Sequence, residues 1–234
     1  MDLSAINDID TSLLLSLNGS DSLFWDGCMK TYTSMAVWMP LAVMLLYVFV
    51  KNNNIKDFLL LLVMFGIVFG LADYISSGLC KPFFERWRPT RDPVIMYIVD
   101  VVNNTRGKDY GFTSSHAANS FAIATFVILV IKNRILTFSL LFWAAMNAFT
   151  RIYLGVHYPG DILAGTAIGV IVGWSMYRLY MYIRKRRTNK VQRDWISTQY
   201  TKSGYLVSDV YLLLLFMYAT FAAIPIISFF TFVN

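Results

Sequence analysis

The chain has 234 residues, 57% of them hydrophobic and only 15% charged, where a soluble domain carries roughly 25% charged residues. That composition excludes an ordinary water-soluble domain and points to a membrane protein. The net charge of +6 does not indicate a nucleic-acid partner. Most of the excess lies in one stretch, Arg184 to Lys202, beside apolar segments, where it reads as a topology signal.

Residues 1–29 contain no Lys or Arg and several Asp, the reverse of a cleavable signal, so the first span is expected to be an uncleaved anchor. Ile6, Ile9, Leu13, Leu14 and Leu17 fall at helical spacing, which predicts a short interfacial helix over Ile6–Leu17. Residues 1–30 are read as this N-terminal interfacial segment and 31–234 as one membrane domain. Crossing a bilayer takes about 20 mostly apolar residues. Six segments qualify: Thr33–Val50, Phe58–Cys80, Ser114–Ile131, Ile135–Leu154, Asp161–Ile183 and Ser208–Phe232. The expected fold is therefore all-α, a six-transmembrane-helix bundle. The fifth span carries Gly165, Gly169 and Gly173, and the third carries Ala118, Ala122 and Thr125, small residues that let helices approach closely. Pro225 is expected to kink the last span. Cys28 and Cys80 are too few for a disulfide framework or a zinc site. Buried free thiols are expected, with a single bridge between them as the alternative.

Six spans put both termini on one side. The loops holding Lys51, Lys56, Lys132, Arg134, Arg184, Lys185, Arg186, Arg187, Lys190 and Arg193 share the other, which the positive-inside rule makes cytoplasmic. Three polar clusters then gather at the outer face. Lys81, with Arg86, Arg88 and Arg91, supplies the ammonium and guanidinium groups that suit phosphate oxygens; Arg86 and Arg91 read more simply as lipid-headgroup anchors. Thr113-Ser114-Ser115-His116 opens a helix, as a cap or as an anion site. Arg151 ends a span, and His157 to Asp161 is an i to i+4 step that permits a carboxylate beside the imidazole; Asp161 equally suits a helix cap. His116 and His157 are the only histidines, so any imidazole chemistry uses this pair. Asp73 lies inside the second span with Ser77 and Lys81 at i+4 and i+8, either orienting Lys81 or Arg88 from below or making a contact between helices. The outer loops offer only scattered Asp92, Asp100 and Asp109, so no metal site and no cofactor are expected. The apolar run Pro93–Val99 in the loop Thr90–Phe112 either guides a lipid headgroup inward or packs the loop.

The order and spacing of these clusters resemble the signature of the type 2 phosphatidic acid phosphatase superfamily, which also includes vanadium haloperoxidases. That signature reads K-x6-RP, PSGH and SR-x5-H-x3-D; here the stretches are KPFFERWRP, TSSH and TRIYLGVHYPGD. The resemblance implies that His157 attacks phosphorus to form a phosphohistidine, with Asp161 supporting its imidazole. His116 would protonate the leaving oxygen and later activate water. Lys81, Arg88 and Arg151 would hold the phosphate oxygens, with Ser114 and the backbone N–H of Ser115 completing the oxyanion cradle. Thr113, Thr150 and Ser115 depart from the motif proline, serine and glycine. The implied protein is an integral-membrane lipid phosphatase, metal-independent, acting on a lipid monoester or pyrophosphate. Undecaprenyl pyrophosphate, phosphatidylglycerophosphate and phosphorylated lipid A are the candidate substrates, in a bacterial inner membrane with a periplasmic site. A vanadate-dependent haloperoxidase and a non-catalytic protein that binds or moves lipid headgroups are the alternatives.

Overall fold

The computed structural model describes residues 3–188 and 198–233; Lys190 and Arg193 of the basic run lie outside them. In chain order the helices are α1 (Leu3–Leu17), α2 (Leu23–Tyr32), α3 (Met39–Asn52), α4 (Ile55–Asp73), α5 (Lys81–Phe84), α6 (Ser115–Ile131), α7 (Arg134–Tyr153), α8 (Pro159–Thr188) and α9 (Val207–Ser228). A wider π-helical stretch, Tyr74–Cys80, joins α4 to α5 without a break, and Pro225 lies inside α9. The described residues contain no strand, only the isolated bridges Trp87–Tyr110 and Tyr200–Leu206.

Five helical segments are long and apolar enough to cross a membrane: Met35–Asn52, Ile55–Phe84, Arg134–Tyr153, Pro159–Arg187 and Val207–Phe232. The expected count of six is corrected to five at this standard, because α6 has only 17 residues, about 25 Å of helix against a hydrocarbon core of about 30 Å. Its ends explain the length. Asn133 caps α7 immediately after Lys132 closes α6 in the left-handed region. Helix α6 is also the central one, packed against α4, α7 and α8, with Ala117, Ala118, Ala122, Ala124 and Phe126 fully buried. A helix shielded by its neighbours need not match the lipid thickness by itself. The surrounding helices expose Phe138, Ile171 and Leu215, a surface suited to acyl chains rather than water.

The glycine stripe sets the closest approach. A Cβ at Gly165 would lie 2.5 Å from the Ser114 carbonyl oxygen, and one at Gly173 2.5 Å from that of Ala122; Gly169 faces the carbonyl of Ala118 in the same way. Backbone meets backbone along two turns, which fixes α6, the bearer of His116, against α8, the bearer of Asp161. Gly169→Val is expected to lower thermal stability in detergent by about 2 kcal/mol through overpacking, read as the temperature of half-inactivation. No change would show that the helices have room to part.

The two ends of the bundle differ. At one end Lys51 pairs with Asp209 at 2.7 Å, and Asp57 receives both Arg184 and Arg187 at 3.2 Å. These ion pairs tie α3 to α9 and α4 to α8. At the other end the long 85–114 segment, α1, α2 and the turn between α7 and α8 come together. Helix α1 is not loose there: Leu14 is fully buried with Ala148, Ile152, Tyr158 and Ile162. Cys28 is buried, Cys80 is partly exposed, and both are free thiols.

Candidate active site

The termini of four elements converge at this second end: the α4–α5 junction, the start of α6, the end of α7 and the start of α8. Lys81 opens α5, and its Nζ donates to Ser115 Oγ at 2.6 Å and to Ser77 Oγ at 3.0 Å; the two hydroxyls are themselves 2.7 Å apart. The serine that stands for the motif glycine therefore holds the lysine. Ser114 is buried and caps α6, its Oγ accepting from Ala117 N at 3.4 Å, while its own N–H donates to the Asp161 carbonyl at 3.1 Å. His116, in the first turn of α6, is exposed to the cavity described below.

Arg88 is buried, its Nε donating to the Tyr110 carbonyl and its Nη1 to the Val156 carbonyl, both at 3.1 Å. The same Nη1 lies 3.1 Å from His157 Nε2. A guanidinium only donates, so Nε2 must be the unprotonated nitrogen and the ring proton sits on Nδ1. Nδ1 faces Asp161 Oδ2 at 3.2 Å, an acceptor suited to that proton. The tautomer is thus set from both sides, and the free lone pair points at the cationic group. Arg151, at the end of α7, donates from Nη1 to Thr33 Oγ1 at 3.0 Å. Its buried Nε has no hydrogen-bond partner among the described residues. A buried cation with an unused donor is equipped to receive an anion.

Burial, reinforced by the cationic Arg88, Arg151 and Lys81, lowers the His157 pKa well below its ordinary value. The sign matters: a depressed pKa keeps the ring neutral as the pH falls through the usual imidazole range. An ordinary imidazole with pKa about 6.5 would be roughly three-quarters protonated at pH 6. In untagged His116→Gln protein His157 is the one remaining imidazole, and its NMR signals are expected not to titrate between about pH 7.5 and pH 5.5. A midpoint near 6.5 would contradict this environment.

Asp161 is fully buried and held on three sides. Its Oδ2 also accepts from the Tyr158 N–H at 3.1 Å, and its Oδ1 accepts from Arg86 Nη1 at 2.9 Å. The other Arg86 terminus, Nη2, reaches Asp10 Oδ2 at 2.7 Å, and the guanidinium lies over the Tyr158 ring, 4.1 Å from its centroid. Asp10 Oδ1 in turn accepts from the Gly160 N–H at 2.7 Å, so α1 supplies a cap for α8. Arg86 points inward, away from the headgroup-anchor position that its place in the chain suggests. Asp10 belongs to none of the three polar clusters that the sequence marks. Its signal was a lone carboxylate between Ile9 and Leu13 on a helix expected to bury one apolar face.

Above the site, the 90–112 loop divides its apolar run: Ile95 and Val99 are buried while Val94 and Tyr97 are exposed. Below it, a cavity of about 1380 Å³ opens into the bundle. Lys81, Arg88, Ser115, His116, Arg151 and His157 all line its polar end. Its far end is apolar and reaches Phe49, Phe58 and Leu136, near the opposite end of the helices. One chamber therefore joins a cationic, imidazole-bearing head to a hydrocarbon tail.

Comparison with known proteins agrees with this arrangement. Residues 59–185 match the PAP2 superfamily. The chain is 39% identical over 190 residues to the lipid A 4'-phosphatase of Bacteroides thetaiotaomicron, covering 81% of this chain and 83% of that one. It is 32% identical to the lipid A 4'-phosphatase of Porphyromonas gingivalis over 77% of each chain. Its fold is similar to the crystal structure of a transmembrane PAP2-type phosphatidylglycerolphosphate phosphatase from Bacillus subtilis, with a TM-score of 0.57, 21% identity, and coverage of 76% of this chain and 88% of that one. With three motifs in order, their residues around one membrane chamber and these relatives, the chain belongs to the PAP2 superfamily of membrane lipid phosphatases.

Proposed function

We propose that this lipid phosphatase removes a phosphate from a glycolipid of the lipid A type, by covalent catalysis on His157. The substrate reading rests on the two relatives named lipid A 4'-phosphatases, each aligned over most of its length. The mechanistic reading rests on one observation above all: His157 Nε2 carries the free lone pair and faces the cationic cluster, while Nδ1 faces Asp161.

In the first step His157 Nε2 attacks phosphorus, the P–O bond to the lipid breaks, and His116 delivers a proton to the departing oxygen. Lys81, Arg88 and Arg151 hold the non-bridging oxygens, and the free Nε–H of Arg151 gains its partner there. The N-terminal amides of α6 around Ser115, ordered by the Ser114 cap, add donors to the cradle. Asp161 stabilises the positive charge that develops on the imidazole. In the second step His116 takes a proton from water, whose oxygen attacks the phosphohistidine and releases inorganic phosphate. No metal enters either step.

The site is placed on the periplasmic face, with both termini, and the end bearing Lys51, Lys132 and Arg184 to Arg187 in the cytoplasm, as the positive-inside rule requires. Helix α6 acts as the sixth crossing element inside its ring of longer neighbours, and residues 31–234 form one domain against which the N-terminal segment packs.

Purified protein should release phosphate from lipid A faster than from undecaprenyl pyrophosphate or phosphatidylglycerophosphate, with chelator present, and vanadate should inhibit. Preference for either other lipid would overturn the substrate reading while leaving the mechanism in place. Loss of activity on chelation would overturn the metal-free mechanism.

A further inference from the structure

One helical turn beneath the catalytic layer, the chamber wall carries polar groups that the reaction does not use. Asn119 lies four residues after Ser115 on α6, about 6 Å deeper, and Asp73 lies four residues before Ser77 on the facing helix. Both line the cavity. One further turn down, the lining residues on these two helices are apolar, Ile123 and Phe69. The pair thus occupies the level between the phosphate-holding groups and the hydrocarbon tail of the chamber.

Its hydrogen bonding sets it apart from the other polar lining residues at this depth. Ser120 Oγ donates to the His116 carbonyl at 2.6 Å, and Asn147 Nδ2 donates to the Trp143 carbonyl at 3.1 Å; each bonds back to its own helix. Among the described residues the side chains of Asp73 and Asn119 hydrogen-bond to each other alone, Asn119 Nδ2 donating to Asp73 Oδ1 at 3.3 Å. Asn119 Oδ1 is buried with no hydrogen-bond partner among the described residues. The contact orients the amide, nitrogen toward the carboxylate, which leaves acceptor capacity unused on both residues beside the second N–H of Asn119. A carboxylate inside a membrane helix is costly and calls for a partner, and a long contact with one neutral amide leaves most of its lone pairs unused.

We propose that Asp73 and Asn119 form an acceptor subsite that receives a hydroxyl or amide N–H carried by the lipid just below its phosphate. The inference rests on the phosphatase reading above and adds to it the class of lipid recognised. Depth selects the linkage region of the substrate, where headgroup passes into acyl chain. The chemistry selects a neutral donor: an ester offers only acceptors and would leave the Asp73 carboxylate and Asn119 Oδ1 without a donor, whereas a hydroxyl or an amide N–H supplies one. Lipids whose chains are simply esterified are therefore disfavoured.

Three synthetic acylated phosphosugars of equal chain length separate the cases. One has plain ester-linked chains, one has ester-linked chains with a hydroxyl on the third carbon, and one has plain chains linked through an amide. Binding is measured in detergent micelles with His157→Ala protein, so that turnover does not intervene. The hydroxyacyl or the amide lipid is expected to bind about tenfold more tightly than the plain ester, the scale of one hydrogen bond to a group otherwise left unpaired. Which of the two does so identifies the donor. In Asn119→Leu and, independently, in Asp73→Asn, that preference should shrink to about twofold or less. Equal binding of all three lipids, or a preference that survives both variants, overturns the subsite. Phosphate release by the native enzyme is scored separately. If it hydrolyses none of the three, the substrate reading fails, while the binding preference still decides the subsite.

Discussion

Replacing His157 with alanine is expected to lower kcat by about 10⁴-fold or more while lipid affinity changes by less than about threefold. The asymmetry follows from the geometry. The substitution removes the lone pair that faces Arg88, and with it the covalent route. Lys81, Arg88 and Arg151, the proposed phosphate holders, remain. Wild-type protein given ³²P-labelled lipid and quenched rapidly should carry label that is labile to acid and stable to base, the behaviour of a phosphoramidate; the variant should carry none. His116→Ala tests the division of labour between the two imidazoles. Losing a general acid costs about 10²- to 10⁴-fold, and the loss should be smallest for a substrate whose leaving group departs without protonation. A His157→Ala enzyme retaining more than about 1% of wild-type kcat would be incompatible with nucleophilic attack by this residue.

Where the chain's own periodicity carried the information, the fold was legible. Five of the six apolar segments form long helices, and the spacing of Gly165, Gly169 and Gly173 anticipated a close helix approach, which the carbonyl contacts place between α6 and α8. Helix α6 is shorter than the full span its hydropathy suggests, because hydropathy records apolar composition and not the identity of the neighbour. A helix enclosed by protein and one facing lipid have the same composition at different lengths. The site was legible to the extent that its groups are carried at fixed spacing: four residues take His157 to Asp161, and seven take Lys81 to Arg88. Contacts joining distant parts of the chain left no such trace. Nothing in the local sequence around Asp10 states that it meets Arg86, 76 residues away, or that the same carboxylate caps α8. Ser115 illustrates a different limit. Judged as a replacement for glycine it reads as a defect in the motif, yet its hydroxyl bonds to both Lys81 and Ser77. Only the spatial partner reveals the use.

The contact between Arg86, Asp10 and Asp161 carries the second large expectation. Arg86 spans two carboxylates, 2.9 Å from Asp161 and 2.7 Å from Asp10, and is the side chain that fixes the second oxygen of Asp161. Removing it leaves a fully buried carboxylate without its ion-pair partner, a loss on the order of 3–5 kcal/mol when a buried pair is broken, and frees Asp161 to turn away from His157 Nδ1. Arg86→Ala should therefore lower kcat by about 10²-fold, the upper range for a residue acting through another, with KM changed by less than about threefold. A headgroup anchor would behave in the opposite way, raising KM and sparing kcat. Arg86→Lys should recover only part of the loss, because a single ammonium cannot serve two carboxylates with the fork geometry of a guanidinium. Asp10→Asn retains an acceptor for the Gly160 N–H but withdraws the charge that holds the far end of Arg86, and should cost kcat about tenfold. If both Arg86→Ala and Asp10→Asn leave kcat intact, Asp161 is positioned without them. If they reduce it in this graded order, the N-terminal helix belongs to the catalytic apparatus although it lies outside residues 59–185, the part that matches the family.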